Sequence, residues 1–294
     1  MDLDSFIVMV YCEVDTIIQK QFPARSLRHR GPLPRLSDSE VITMEIVGEY
    51  LSLNTEKAIY QYFFTHWRHF FPKMPDRSNF VRQCANLWAV KQLLLKKLQT
   101  PIHSRIQIVD SMPLEVCKFT RARRSRLFRG FASYGKWFGH TIYGFKLHLK
   151  ITHFGLIRGF DLTEANAPDV KVLPQLLEDE HSSLVLGDRG YRSKPLAREM
   201  WETQSLVLHT PVRSNEHAPD LIDPSLHKYF NGIRRLIETV NGQLEQHFHI
   251  KTIWARDLWH LVTRIIRKLL AHTYCVVLNL KLNREPLQIK SLVC

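Results

Sequence analysis

The sequence has few of the features that mark a secreted, disulfide-stabilised or membrane protein. Its five cysteines are spread over 294 residues and include no Cys-x-x-Cys pair, which argues against a disulfide framework and against a zinc ribbon. The most apolar stretch, residues 269–280, contains a histidine and is shorter than the roughly 20 residues that a bilayer span needs. The apolar run 6–10 is too short for the core of a signal peptide. These absences predict a soluble, cytoplasmic protein with no membrane segment.

Acidic residues are also scarce. The chain has 28 Asp and Glu against 41 Lys and Arg, a net charge of +13, although its apolar fraction of 45% is ordinary for a globular protein. Because a positive excess of this size attracts polyanions, nucleic acid is the first partner to consider.

The shortage is most extreme in residues 116–160, which contain ten Lys and Arg and no acid. Most charge runs are solvated faces, but acids normally alternate with bases to limit self-repulsion, and none does so here. The segment predicts a polyanion-binding insertion near 116–140. Its rings can stack on bases: Phe128, Phe131, Tyr134, Trp137 and Phe138. The basic residues that we expect to contact DNA phosphates here are Arg121, Arg123, Arg124, Arg126, Arg129 and Lys146.

Local patterns divide the chain into helical and mixed parts. A Ser-x-x-Glu capping box at Ser37 and Glu40 predicts a helix from about residue 38, and further helices are predicted over 55–67 and 78–98. From residue 104 the period changes, and the predicted strands are 105–110, 145–151, 155–161, 183–188 and 205–211, with a helix over 168–177. The alternation of Lys146, His148 and Lys150 predicts a strand with one wet, basic face. Long helices are predicted over 233–248 and 258–280.

Two predicted strands end in an acid. Asp110 follows one apolar run and Asp188 follows another. If these strands are neighbours, both carboxylates emerge at the sheet edge where open α/β folds place their chemistry. Either residue alone is more often an ordinary strand-end acid.

A third acid is expected on the helix near residue 233. Arg234, Glu238, Asn241 and Glu245 form one row beside its apolar stripe, so Glu238 or Glu245 could join the aspartates. The alternative is a surface pair between Arg234 and Glu238 at i, i+4. Three carboxylates near a sheet edge suit Mg²⁺, and a pair of such ions can promote displacement at phosphorus.

Three segments resemble the acidic motifs of bacterial insertion-sequence transposases of the DDE type, which have a ribonuclease-H-like catalytic core. They are Ile108-Val109-Asp110-Ser111, Gly187-Asp188-Arg189-Gly190-Tyr191 and Arg234-x-x-x-Glu238-Thr239. The stretch 162–169 is similar to the family segment between the second and third strands, and the resemblance covers most of the chain.

The resemblance implies that Asp110, Asp188 and Glu238 are catalytic metal ligands. Glu238 is preferred to Glu245 because it has Arg234 four residues before it, as in the family signature Tyr-x-x-Arg-x-x-x-Glu, although Asn231 stands where the tyrosine is expected. The implied cofactor is two Mg²⁺ ions, which Mn²⁺ can replace. The implied partners are the double-stranded DNA of transposon ends and target, contacted by Arg234 among others, and a second copy of the chain on that DNA. The implied location is the bacterial cytoplasm, with the nucleoid.

The resulting expectation is an α/β protein with a ribonuclease-H-like mixed sheet flanked by helices and preceded by an all-helical region. We expect a helical DNA-binding region over 1–99, a catalytic domain over 100–252 and a helical segment over 253–294. The expected activity is metal-dependent cleavage and strand transfer of DNA at inverted-repeat ends. Two alternatives stay open: a metal-dependent nuclease without strand transfer, and a non-catalytic DNA-binding regulator.

Overall fold

The computed structural model describes residues 1–23, 33–211 and 224–293. These residues form two compact units. One comprises residues 1–101 and 244–294 and is helical, and the other comprises residues 102–243 and contains the sheet. The expected functional boundaries after residues 99 and 252 stay predictions, because compactness does not test which part of the chain binds DNA.

The described residues of the first unit form six long helices. They are α1 (Leu3–Gln21), α2 (Asp38–Tyr50), α3 (Glu56–His66), α4 (Arg77–Asn86), α5 (Trp88–Gln99) and α11 (Leu258–Lys281). The capping box that starts α2 is confirmed, since the Ser37 hydroxyl accepts from the Glu40 amide and the Glu40 carboxylate accepts from the Ser37 amide. The helix predicted over 78–98 is two helices that meet at Leu87.

Helix α11 is buried on every side over most of its length, including several of its polar and charged residues. Its buried charges are paired. Arg267 donates to Glu49 and Glu56, and Lys268 donates to Glu49 at 2.9 Å and to the carbonyl of Phe248 at 2.6 Å. Within the described residues, no helix is both long and apolar enough to cross a membrane.

The second unit is built on a mixed six-stranded sheet. Its strands are β1 (Ile106–Cys117), β2 (Ser133–Trp137), β3 (His140–Thr152), β4 (Ile157–Glu164), β5 (Leu184–Leu186) and β6 (Val207–His209). The order is β2-β3-β1-β5-β6, with β4 beside the second half of β3. Strands β1, β5 and β6 are parallel and β3 is antiparallel to its neighbours. The predicted α/β architecture, with a mixed sheet flanked by helices and preceded by a helical region, is confirmed.

Helices complete the second unit. They are α6 (Phe119–Ala122), α7 (Leu173–Leu176), α8 (Lys194–Gln204), α9 (Pro224–Arg234) and α10 (Leu236–Gln246), the last of which contains the boundary of this unit after Gln243. The helix predicted over 168–177 is a 3-10 turn followed by α7, and the helix predicted over 233–248 is interrupted at Arg235. An apolar core under β1 and β5 includes Val109, Val185 and Tyr191.

The predicted end of β1 at Asp110 is wrong. Pairing with β5 stops at Ile108, but β1 continues to Cys117 along β3. Asp110 therefore lies within a strand, two residues beyond the point where its parallel neighbour ends. Pro113 is tolerated in this second half because the strand has a partner on only one side there.

The predicted wet face of β3 is also wrong. His148 and Lys150 are buried, and Lys146 is largely buried. Other segments of the chain pack on the faces of β3, so its polar side chains are satisfied internally instead of by water. Lys150 pairs with Glu180 at 3.1 Å, and His148 contacts the hydroxyls of Tyr191 and Thr163.

Candidate active site

Asp110 and Asp188 lie where β1 and β5 separate. Strand β5 ends at Leu186, and Asp188 caps the short 3-10 helix Arg189–Tyr191, where its Oδ1 accepts from the Gly190 amide at 2.8 Å. Gly187 allows the close approach of the two strands, because a Cβ there would lie 3.2 Å from Val109, the neighbour of Asp110. The two aspartates are close enough for the charge of Asp188 to raise the pKa of Asp110, although only Asp188 follows the end of a strand.

A third aspartate belongs to the same site. A Cβ on Gly190 would lie 2.7 Å from Oδ2 of Asp169 and 3.0 Å from Oδ1 of Asp188. The absence of a side chain at Gly190 therefore makes room for both carboxylates. Close packing therefore explains both glycines of the sequence Gly187-Asp188-Arg189-Gly190, because neighbouring side chains approach each of them closely.

The clustering of acids changes their electrostatics. The pKa of Asp110 is raised to about 7, mainly because the carboxyl is buried. The negative charges of Asp188 and Asp169 also raise this pKa. The hydrogen bond from the Ser111 amide and the positive charge of Arg234 lower it. The carboxyl of Asp110 therefore has a pKa close to neutral pH, and shifted pKa values of this kind are typical of functional sites.

A polar network lies beneath the aspartates. Lys146 donates to Asp169 Oδ1 at 2.7 Å and to the Ala167 carbonyl at 2.6 Å, and the Ser111 hydroxyl contacts the same Asp169 oxygen at 3.4 Å. Tyr191 is buried with its hydroxyl 3.1 Å from Nδ1 of His148. Burial lowers the pKa of His148 to about 4, so its ring is neutral at neutral pH. Burial, together with the nearby aspartates, raises the pKa of Tyr191.

Helix α10 reaches the site through Asn241, whose Nδ2 donates to Oδ2 of Asp110 at 3.1 Å. Its other side-chain atom, Oδ1, is buried and has no hydrogen-bond partner in the part of the chain that the structure describes. A buried amide oxygen of this kind, beside a carboxylate, can accept a hydrogen bond from a ligand or coordinate a cation.

Glu238 does not join the aspartates. Its side chain is 61% exposed, and Oε1 lies 3.9 Å from a guanidinium nitrogen of Arg234. This is the i, i+4 surface pair that the sequence left open as an alternative. Glu245 instead pairs with Lys251 at 2.6 Å. Across residues 1–23, 33–211 and 224–293, no three His, Cys, Asp or Glu side chains lie close enough to hold one metal ion.

The oxygen atoms at this site nevertheless provide some of the ligands that a divalent cation needs. Two carboxylates, Asp110 and Asp188, meet beside the unpartnered oxygen of Asn241, and these are the hard oxygen ligands that Mg²⁺ and Mn²⁺ prefer. A cation there would stabilise the ionised form of Asp110, which burial and, to a smaller extent, repulsion from Asp188 and Asp169 disfavour. The third carboxylate of the predicted triad is not part of this set.

The predicted DNA-contacting residues divide into two groups. The arginines near the β2–β3 hairpin are exposed, namely Arg121, Arg123, Arg124, Arg126 and Arg129. Lys146 is only 11% exposed and is paired with Asp169, so a phosphate contact would require that ion pair to open. Arg234 is 27% exposed, and its charge acts on Asp110 and Glu238.

Sequence reasoning missed two residues of the site. Asp169 is the last residue of the stretch 162–169, and the similarity of that stretch to a family segment was the only indication in the sequence that Asp169 belongs to the site. Asn241 was placed in the row with Glu238 but given no role. Its signal was the i, i+7 spacing from Arg234, which puts both on the face that reaches Asp110.

Comparison with known proteins identifies the family. Residues 101–257, slightly more than half of the chain, match the family model described as Transposase DDE domain. The chain belongs to the transposase DDE-domain family. The match confirms the resemblance to transposases of the DDE type, and the roles of Asp110, Asp188 and Glu238 stay predictions.

Two solved structures are weakly similar to the DDE-domain protein. A Mos1 transposase paired-end complex with the left transposon end shares 12% identity over 77% of this chain and 82% of that chain, with a TM-score of 0.22. A Mos1 mariner paired-end complex with Mn shares 13% identity over 90% and 86%, with a TM-score of 0.23. The family assignment rests on the family model, because these scores are too low to compare folds. No curated protein matches the chain.

Proposed function

We propose that this DDE-domain protein is a DNA transposase that binds the inverted-repeat ends of its element and catalyses metal-dependent strand cleavage and strand transfer. The observation that carries the proposal is the convergence of Asp110 and Asp188 at the point where β1 and β5 separate, with the pKa of Asp110 raised to about 7 by burial and by neighbouring carboxylates. Family membership supports the same activity.

In this proposal Asp110 and Asp188 would bind the divalent cations, Mg²⁺ or Mn²⁺, through their carboxylate oxygens, and Oδ1 of Asn241 would add a further oxygen ligand. A bound pair of such ions supplies charge stabilisation to the attacking and leaving oxygens at phosphorus. Asn241 orients Asp110 through its hydrogen bond, and Lys146 neutralises Asp169 so that only part of the acidic charge faces the substrate. The exposed arginines contact DNA phosphates.

Glu238 is proposed as the third acid. It lies between Arg234 and Asn241 on the helical face that acts on Asp110, so a change of side-chain rotamer that breaks its pair with Arg234 would turn it toward the aspartates. An exposed pair of this kind stabilises the protein by less than about 1 kcal/mol, and ion binding would outweigh it. DNA contact by residues 1–99 and assembly of two protomers on DNA remain further parts of the proposal.

The test uses a linear donor DNA carrying the sequences that flank the gene, a supercoiled target plasmid and Mg²⁺. Wild-type protein should release cut ends and yield joined products, and Asp110→Asn and Asp188→Asn should abolish both while retaining DNA binding. Glu199→Gln, a neutralised surface carboxylate on α8, is the matched control and should remain active.

Other outcomes separate the alternatives. Cleavage without joined products identifies a nuclease, and binding with no metal-dependent cleavage identifies a regulator. Glu238→Gln should lose activity while Glu245→Gln retains it. The reverse result would move the third site to Glu245, and activity in both variants would remove Glu238 from the triad.

A further inference from the structure

The tip of the β2–β3 hairpin holds a phenylalanine in an unfavourable backbone conformation. Trp137 pairs with His140, so Phe138 and Gly139 form a two-residue loop. Their φ angles are 44° and 82°, both in the left-handed region that a type I′ turn requires. Glycine adopts this region freely, whereas a bulky residue at the first position crowds its own backbone. Asn-Gly is the pair that this turn favours.

Folding does not explain the choice of phenylalanine. The Phe138 side chain is 89% exposed, so the ring gains little from burial. Its described ring contact is an edge-to-face approach to the neighbouring Trp137, with centroids 5.6 Å apart. The residue therefore combines backbone strain with an apolar ring in water, and strain of this kind is found most often where a residue has a function.

The structure distinguishes this ring from the other aromatic residues of the segment. Phe128 is buried and packs edge-to-face on Phe145 at 5.4 Å, so it belongs to the core. Tyr134 is 44% exposed and contacts Phe119 and Tyr143, which joins the basic loop to the hairpin. Phe138 alone among these stands at the apex, where a Cβ added to the adjacent Gly139 would meet nothing within 4 Å.

The surroundings indicate what the ring contacts. The exposed arginines at 121–129 lie in the same acid-free segment, residues 116–160, as Phe138, and the charge of this segment is complementary to nucleic acid. An aromatic ring presented within a basic surface is the arrangement by which proteins stack on bases without reading their sequence. The short turn fixes the backbone beneath the ring, so only the two side-chain torsions of Phe138 are ordered on contact.

We propose that Phe138 is a base-stacking residue, which receives an unpaired base of the DNA whose phosphates the arginines hold. The inference rests on the proposed function, since it specifies how this surface engages DNA near a cut or unpaired end. The ring adds affinity for a base that has left the duplex, and it adds little for a fully paired duplex.

The experiment compares three fluorescein-labelled duplexes by anisotropy at low salt: one fully paired, one with a single unpaired nucleotide, and one with an abasic site at that position. Wild-type protein should bind the unpaired-base duplex roughly 5- to 150-fold more tightly than the abasic one, the range that one base–aromatic stack provides. Phe138→Asn should remove this preference and leave affinity for the paired duplex within about two-fold.

Two further variants make the result specific. Because asparagine suits the turn, Phe138→Asn should raise the melting temperature while it removes the preference, a combination that a structural role for the ring would not produce. Phe138→Trp should retain the preference. The control Phe131→Ala removes another exposed ring, 56% accessible, and should leave the preference intact.

The outcomes separate this inference from the proposed function. Wild-type protein that binds all three duplexes equally well overturns the stacking role alone, and so does an unchanged preference in Phe138→Asn. A change of oligomeric state in Phe138→Asn, with the preference retained, would assign the ring to a protein interface and overturn the inference. Wild-type protein that binds none of the duplexes contradicts DNA binding itself.

Discussion

Asn241 donates a hydrogen bond to Asp110 at 3.1 Å and so joins the helix that carries Glu238 to the strand that carries the first aspartate. The two residues are 131 positions apart in the chain. The contact places α10 beside the acidic site even though the carboxylate of Glu238 is directed to Arg234. It also leaves Oδ1 of Asn241 available to a ligand.

Asp110 should make metal-free protein less stable as the pH rises. Its pKa is raised from 3.8 to about 7 in the folded state, so the folded protein holds a proton that the unfolded chain has lost between these values. The free energy of unfolding should therefore fall as the pH rises from about 4 to about 7, by about 2–4 kcal/mol, and the full cost is present above pH 7.

Urea unfolding in EDTA at several pH values measures this effect. Asp110→Asn should be more stable than wild-type protein at about pH 7.5 and equal to it at about pH 3.5 to 4, because only the ionised carboxylate is penalised. Mg²⁺ should stabilise wild-type protein at the higher pH and not the variant. Equal stability of both proteins at every pH would contradict the clustering of the acids.

Gly190 should be intolerant of any side chain. Gly190→Ala puts a methyl group within 3.0 Å of the carboxylates of Asp169 and Asp188, so both carboxylates must move. DNA cleavage should then fall by at least about ten-fold, because small displacements of catalytic groups cost up to about 100-fold in rate. Gly242→Ala is the matched control. Its Cβ meets nothing within 4 Å, and the change should stabilise α10 by up to about 1 kcal/mol without loss of activity.

The salt dependence of DNA binding should distinguish the exposed arginines from Lys146, which is paired with Asp169. Replacing Arg121, Arg123, Arg124 and Arg126 by alanine should reduce the slope of log K against log salt by about 0.9 for each phosphate that the variant no longer neutralises. Lys146→Met should leave the slope unchanged, because Lys146 is paired with Asp169. An unaltered slope in the arginine variant would remove those residues from the DNA interface.

The helical unit should depend on a buried ion pair. Lys91 donates to both oxygens of Glu45, at 2.9 and 3.0 Å, and the two side chains are 0% and 1% exposed. Lys91→Met removes both of these hydrogen bonds and leaves the buried carboxylate with the more distant charge of Arg267, at 3.9 Å, so it should destabilise the protein by about 3–5 kcal/mol.

Chemical denaturation measures this loss against an exposed pair. Arg198 and Glu202 form an i, i+4 pair with 82% and 58% of their side chains exposed, so Arg198→Ala should cost less than about 1 kcal/mol. Similar costs for the two variants would mean that the buried pair contributes no more than a surface one.

Local patterns predicted most of the elements, and their failures share a cause. The capping box at Ser37, the strand that carries Asp110, the strand that ends shortly before Asp188 and the buried stripe of α10 all follow from patterns within a few residues of chain. The wet face of β3 and the end of β1 were wrong because each depends on contacts with distant segments. Pairing with β3 extends β1, and the packing of the segments that carry Glu180 and Tyr191 buries polar side chains of β3.

The sequence by itself determined the charge, the order of the acidic motifs and the two aspartates, because these are properties of composition and spacing. Only the tertiary structure decided that Asp169 and Asn241 share the site, that Lys146 is paired with an acid, and that the carboxylate of Glu238 is directed to Arg234. Such neighbours are set by the packing of distant segments, and helical or strand periodicity says nothing about distances across the fold.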